Sequence, residues 1–244
     1  MRYLLLFIVV LTATCVATPE KKDVDGVTYH LLKVASDSVE LVWADSKGKP
    51  FRSFPAAAKY LKETGKTPLT LMNGGIFEPG GIPSGLFVQG GKVLRPVNGR
   101  EGDGNFYLKP NGIFLIGDQG AAVIATGEWP LKGVNVRCAV QSGPLLLRRG
   151  KVHSRFNAGS KSRLVRNGVG VTKEGEVILV VTDFKSPKLP NLYEFAQLFR
   201  QLGCDDALFL DGDLSQMRSG EELERRSNRF GSIVAVIETK SSKR

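Results

Sequence analysis

Apolar residues recur along this chain in short, β-branched runs separated by glycine, proline and polar turns, a pattern of many short strands. "VTYHLLKV" and "SVELVWAD" read as two early strands. "SFPAAAKYLKETG" reads as a helix, opened at Ser53, with Pro55 near its start and Gly65 at its end. "TPLTLMN" follows as a strand that runs into Gly74-Gly75. Turn signals come every few residues in the glycine-rich middle. "GNFYLKPNGIFLIGD" is predicted to be two strands joined at Pro110-Asn111-Gly112. "VRCAVQSGPLLLRRGKV" gives two short strands around Ser142-Gly143-Pro144, and "GVGVTKEGEVILVVTDF" a hairpin turning at Lys173-Glu174-Gly175.

The strongest helical pattern comes late. Asn191 and Glu194 have the spacing of a reciprocal capping box, Leu192, Phe195, Ala196, Phe199 and Leu202 share one face, and Gly203 stops the helix. The strand "DALFLD" and a final strand "GSIVAVIET" complete the set. Many strands with two or three helices predict an α+β fold with a mixed sheet. The order helix, short loop, buried strand puts Asp211 at the carboxyl end of a central strand, where ligands often bind in sheets of this build.

The opening "MRYLLLFIVVLTATCVAT" has another character: a basic start, a short apolar run and small residues before Thr18. It reads as an export signal over residues 1–17, with a lipid anchor on Cys15 as the competing reading. Its apolar run is too short to span a bilayer comfortably. No other stretch is apolar for long enough to cross a membrane, so residues 18–244 are expected to form one exported domain. Cys138 and Cys204 lie in apolar contexts that favour buried free thiols over a disulfide, and they lack metal-ligand spacing.

The chain carries 34 Lys and Arg against 24 Asp and Glu, a net charge of +10, of which the leader accounts only for Arg2. That balance suits anionic partners. It is densest from Arg148 to Arg166, where Arg148, Arg149, Lys151, Arg155, Lys161, Arg163 and Arg166 occur without an acid. Guanidinium forks suit phosphate oxygens, so this row predicts a local anion site. Nucleic acid is not an expected partner, because no aromatic-interleaved basic motif or known binding module is present.

Four probable strands end in small or polar residues: Asn73-Gly74-Gly75 with Phe77, Gln141-Ser142-Gly143-Pro144, Arg166-Asn167-Gly168, and Asp211-Gly212-Asp213 with Ser215. Any one of them suits a plain turn, whereas four in one domain suggest that some converge. Glycine beside each polar group would let a substrate approach the backbone. His153, inside the basic row, is a candidate neutral base. Glu78 is a minor candidate proton donor. His30 reads as a surface or packing residue and Asp183 as a turn residue.

"LMNGGIF", "QSGPLLL", "RNGVGVT" and "FAQLFRQLGCDDALFLDGDLSQM", in this order, resemble the phosphodiester glycosidase family from about Leu69 to the final strand. The resemblance implies hydrolysis of the bond between an anomeric carbon and a phosphodiester oxygen, with Asn73, Arg166 and Asp211 in the shared pocket. Family members typically have Asp-Gly-Gly-Gly-Ser where this chain has Asp211-Gly212-Asp213-Leu214-Ser215.

A phosphodiester leaving group needs charge neutralisation more than protonation, which Arg163 and Arg166 would supply. Asp211 would stabilise positive charge at the anomeric carbon or activate water, with Asn73 and Ser142 as positioning groups. His153 completes the catalytic candidates. Gly74, Phe77, Gln141, Ser142, Gly143, Arg163, Asn167, Gly212 and Ser215 are the candidate substrate contacts, and a sugar phosphodiester or anionic glycan is the expected partner. The residues single out no certain cofactor; Asp211 with Asp213 could hold Ca2+ or Mg2+. Two other readings stay open: a non-catalytic binder of an anionic polymer or partner protein, and a metal-dependent phosphodiesterase.

Overall fold

The period-2 patterns build three main sheets, with every pairing between neighbouring strands antiparallel in the computed structural model, which describes residues 18–239. The expected leader, with Cys15, lies outside the described residues. A seven-stranded sheet runs in the order Glu20–Val24, Val27–Val34, Val177–Thr182, Asn167–Thr172, Cys204–Asp211, Leu145–Arg148, Lys151–Val152. A five-stranded sheet runs Gly120–Ala125, Gly112–Gly117, Val136–Ser142, Phe87–Gln89, Lys92–Arg95, and a four-stranded one Met217–Ser219, Pro68–Asn73, Ile233–Ile237, Val39–Val42. The fold is largely β with two α-helices, and the expected mixed sheet gives way to antiparallel ones. Each helix does link two like-directed strands of one sheet, Val39–Val42 to Pro68–Asn73 and Val177–Thr182 to Cys204–Asp211, but a third strand, Ile233–Ile237 or Asn167–Thr172, lies between the two and pairs antiparallel with both.

The main core lies where the three sheets face one another. Leu179 and Leu208 of the first sheet, Phe114 and Val140 of the second, and Met72 and Val234 of the third belong to one buried cluster. Helix α1 (Phe54–Glu63) covers the four-stranded sheet with Phe54, Ala57, Ala58 and Leu61. Helix α2 (Leu192–Gln201) covers the seven-stranded one with Phe195, Ala196, Leu198 and Phe199. Cys204–Asp211 is therefore buried on both faces. Leu208 and Leu210 enter the shared core, while Ala207 and Phe209 face α2. This explains its unbroken apolar run; burying a side chain such as Phe209 contributes about 1.5–3 kcal/mol.

The expected strand pair about Pro110-Asn111-Gly112 is different in the structure. Asn105–Tyr107 is a 3₁₀ turn, and Gly112–Gly117 pairs forward with Gly120–Ala125. The Asn111 side chain donates to the Phe106 carbonyl at 2.8 Å, so a side chain satisfies a group that a ladder would otherwise have used. Cys138 and Cys204 are both buried free thiols, and burial pushes each up to about 12.

Helix α2 begins as its sequence predicts. Asn191 Oδ1 accepts from Glu194 N at 2.9 Å, and Glu194 Oε2 accepts from Asn191 N at 3.1 Å. Glu194 also takes both Nη atoms of Arg163, at 2.6 and 3.0 Å, and Lys188 at 3.2 Å. The Arg163 hydrogen bonds, more than any other cause, hold its carboxyl down at about 2, from an ordinary 4.5. A depressed carboxylate stabilises the fold above its unfolded value and loses that contribution as pH falls through the folded one. Glu194→Gln should cost about 1–2 kcal/mol at pH 7, a figure discounted for the partial exposure of the pair. Urea midpoints of the two proteins should converge as pH falls from 4.5 towards 2.

Candidate active site

Three of the four polar strand ends meet through one buried amide. Asn167 lies opposite Asp211 in the sheet and is fully buried. Its Oδ1 accepts from Asp211 N at 2.7 Å, and its Nδ2 donates to the Asn73 carbonyl at 2.6 Å. One side chain thus joins the ends of the seven-stranded and four-stranded sheets. The five-stranded sheet joins through Ser142, whose Oγ donates to the Leu210 carbonyl at 2.8 Å and accepts from Ile76 N at 3.3 Å.

Asp211 sits at this junction, partly buried. Asn73 Nδ2 donates to its Oδ2 at 3.4 Å, and Gly212 N donates to its Oδ1 at 2.8 Å. Asn73 is itself fixed, because Gln216 N donates to its Oδ1 at 2.9 Å. Burial raises the Asp211 carboxyl from 3.8 to about 6, and the charge of Asp213 adds to the rise; the Gly212 and Asn73 hydrogen bonds work against it. A carboxyl near 6 exchanges its proton close to neutrality, as acid-base and charge-stabilising chemistry requires.

Arg166, next to Asn167, is one of the largest fully buried side chains. Its Nε donates to the Pro190 carbonyl at 3.1 Å and one Nη to the Ser162 carbonyl at 2.9 Å, and the guanidinium lies over the Phe209 ring at 5.7 Å. Among the described residues its other Nη has no acceptor and no carboxylate pairs with it. Burial lowers its pKa to about 10, offset in part by the charge of Asp213. A guanidinium desolvated without a counter-ion favours an incoming anion.

The remaining sequence candidates are placed otherwise. Arg163 is committed to Glu194, so it braces α2 and is not free to meet a leaving group. Arg148 is paired with Glu128 and Asp206, so the predicted anion row from Arg148 to Arg166 does not act as one site: Arg148 and Arg163 are spent on ion pairs and Arg166 is buried apart from them. His153 follows the edge strand Lys151–Val152, two strands from Cys204–Asp211, a lateral offset of about 10 Å at the usual strand spacing. It stacks on Phe156 at 4.7 Å and accepts at Nδ1 from Arg155 N. Its Nε2 has no hydrogen bond of regular geometry, although the nearby Lys109 carbonyl still favours the proton; burial dominates and lowers its pKa. No hydrogen bond links it to Asp211.

Gln141 is fully buried and spends its amide on the loop backbone, accepting from Leu86 N and Asn98 N and donating to the Asn98 carbonyl. Ser215 Oγ donates to the Gly212 carbonyl and closes the turn. Glu78 is exposed and accepts from Ser84 Oγ. Asp183 is a turn acid that receives Lys185 N and sits near Lys21 and His30.

The glycines differ in the same way. A Cβ on Gly74 would lie 2.3 Å from Ser232 Oγ, one on Gly143 2.6 Å from Asn111 Cβ, and one on Gly168 2.9 Å from the Leu208 carbonyl. Those three serve close packing. At Gly212 the nearest atom would be 3.9 Å away, so this glycine leaves space beside Asp211.

Asp211 and Asp213 do not make a convincing resident cation site. Both Asp211 oxygens already face N–H donors, Asp213 is exposed, and the described residues hold no cluster of three or more His, Cys, Asp or Glu. Calcium ordinarily takes 6–8 oxygens. Gln216 was missed from sequence because it acts through its backbone N–H, and a main-chain donor has no residue signature. Phe77 lies under Arg52, whose guanidinium is 5.7 Å from the ring centroid.

The chain is similar to known proteins over most of its length. A family model described as phosphodiester glycosidase matches residues 67–230. The chain is 28% identical over 183 residues to the protein YigE of Escherichia coli (strain K12), covering 75% of this chain and 70% of that one. The catalytic domain of zebrafish N-acetylglucosamine-1-phosphodiester alpha-N-acetylglucosaminidase, auto-inhibited by its pro-peptide, superimposes with a TM-score of 0.69 at 17% identity, over 91% of this chain and 82% of that one. A protein from Burkholderia pseudomallei K96243 described as exported gives 0.52 at 14% identity, over 87% of this chain and 74% of that one.

Proposed function

From the premise that this chain belongs to the phosphodiester glycosidase family and is a hydrolase of that kind, we propose that it is exported and cleaves the glycosidic bond of sugar-1-phosphodiesters in envelope or extracellular glycans. The observation that carries this reading is Asp211, whose carboxyl, raised to about 6, is held by Asn73 and whose main-chain N–H is held by Asn167, beside an open glycine. In its ionised form it faces the anomeric carbon, where it stabilises the positive charge that develops as the bond to the phosphodiester oxygen breaks, or takes a proton from attacking water. Asn73 keeps one carboxylate oxygen aimed. Arg166, with a free N–H donor and, among the described residues, no counter-ion, meets the departing phosphate, a weak base that leaves without strong protonation. Export is supported by the likeness to the Burkholderia protein and by the leader pattern, and no helix among the described residues is long and apolar enough to cross a membrane.

The test is hydrolysis of a panel of sugar-1-phosphodiesters in water enriched in oxygen-18. Turnover should place the label in the released sugar, fall as pH drops through about 6, and be lost in Arg166→Met, which keeps the buried volume without the charge. Label in the phosphate would mean cleavage at phosphorus. No turnover across the panel, with or without calcium or magnesium, would overturn the enzyme reading in favour of a binder of anionic polymers.

A further inference from the structure

A cleft of about 710 Å³ lies beside the Asp211 junction, and Arg52, Arg226, Arg229, Gln216, Ser227 and Asn228 line it. No acidic residue does. Gln216 belongs to both places: its N–H holds Asn73 Oδ1, and its Oε1 accepts from Asn228 N at 3.2 Å. Asn228 Nδ2 also donates to the Leu214 carbonyl, which ties the arginine loop to the turn that follows Asp211. Arg218 braces the same loop, donating to the carbonyls of Arg225 and Arg226.

The three arginines are not matched by acids. Arg225, on the same loop, pairs with Glu222 at 2.6 Å, yet among the described residues Arg52, Arg226 and Arg229 have no carboxylate within 4.0 Å. Arg52 is held at φ +65°, in the left-handed region that non-glycine residues disfavour. Its Nε is buried without a hydrogen-bond partner while its guanidinium lies over Phe77. Burial, and then the charge of Arg229, disfavour its protonated form. Like charges gathered at a strained residue, with an unused buried donor, are an arrangement that a bound anion would relieve.

We propose that this cleft is a phosphate subsite that holds a second phosphate or phosphodiester group of the substrate, on the aglycone side of the scissile bond. The substrate class is then a glycan or glycolipid with more than one phosphate, and not a singly charged diester. The assignment to substrate rests on the glycosidase reading; the binding of phosphate does not.

Inorganic pyrophosphate titrated calorimetrically into the full chain tests the site itself. Arg226 and Arg229 are both exposed, so the double variant Arg226→Ala/Arg229→Ala should fold normally. Its affinity should be at least tenfold weaker than that of the parent, the parent's affinity should weaken with added salt, and Asp211→Asn should bind as the parent does. No binding by the parent, or equal binding by the double variant, overturns the proposal. A second arm compares kcat/KM for a diester with an additional aglycone phosphate against its neutral-aglycone counterpart. The parent should prefer the first and the double variant should lose the preference with the neutral substrate unaffected; no preference in the parent overturns the substrate assignment. Pyrophosphate binding that needs these arginines, in a protein that turns over no diester, would sustain the phosphate site and overturn the glycosidase reading alone.

Discussion

Asp211→Asn is expected to lower kcat/KM by about 10³-fold or more while making the protein more stable at pH 7. The activity loss follows from removing the one carboxylate at the junction. The stability gain follows from its raised proton affinity, 3.8 to about 6 on folding. Between those values the folded state binds the proton that the unfolded chain has released, so the parent's stability falls as pH rises through that window. At about 1.4 kcal/mol per unit, keeping the group ionised at neutral pH costs about 2–3 kcal/mol. Asparagine removes that cost. It has one acceptor where the carboxylate had two, so it can serve Gly212 N or Asn73 Nδ2 but not both, a loss of about 1 kcal/mol. The net gain should be about 1–2 kcal/mol at pH 7 and should shrink as pH falls towards 4. Urea melts of both proteins at several pH values measure this directly. Activity and stability lost together would make Asp211 a structural turn acid.

Asn167→Ala should have the opposite signature, a large loss of stability. The side chain is fully buried and makes two short bonds, at 2.7 Å from Asp211 N and 2.6 Å to the Asn73 carbonyl. Alanine leaves a buried donor and a buried acceptor without partners, about 1–3 kcal/mol each, in a protein whose whole stability is of order 5–15 kcal/mol. A loss of about 3–5 kcal/mol corresponds to a Tm lower by about 10 °C in a domain of this size. The surviving folded protein should also have a lower kcat, because nothing then fixes Asp211 against Asn73. A thermal melt and a rate measured well below the new Tm separate the two effects. A Tm within 2–3 °C of the parent's would show that water or a neighbour replaces the amide.

The elements that were legible in sequence are those whose cause is local. The capping box of α2 needs only Asn191 and Glu194 three positions apart, and both bonds form. The run "ALFLD" is apolar on both faces because strands flank Cys204–Asp211 on each side and layers cover it above and below, and a run of that kind marks a central strand wherever it occurs. The polar strand ends were visible too, since Asn73, Ser142, Asn167 and Asp211 each interrupt an apolar run at its end.

Sequence could not say which strand end closes on which. Asn167 and Asn73 are 94 residues apart, and the bond between them depends on how two sheets dock. The glycines beside them look alike in sequence, yet three are pressed against protein and only Gly212 opens to space, a difference set by neighbours from other strands.

Charge shows the division most clearly. Arg148 to Arg166 is the densest basic stretch in the chain, but folding brings Glu128, Asp206 and Glu194 to it and spends Arg148 and Arg163 on ion pairs. Arg52, by contrast, meets Arg226 and Arg229 only when the loop before α1 folds against the loop before the last strand. By itself the sequence determined most of the strands, both helices and the polar residues available at their ends, because propensity, capping and burial patterns act over a few neighbours. Only the tertiary structure decided which charges stay unpaired and which carboxyl loses water, because desolvation and Coulomb forces depend on distance in space and not on separation along the chain.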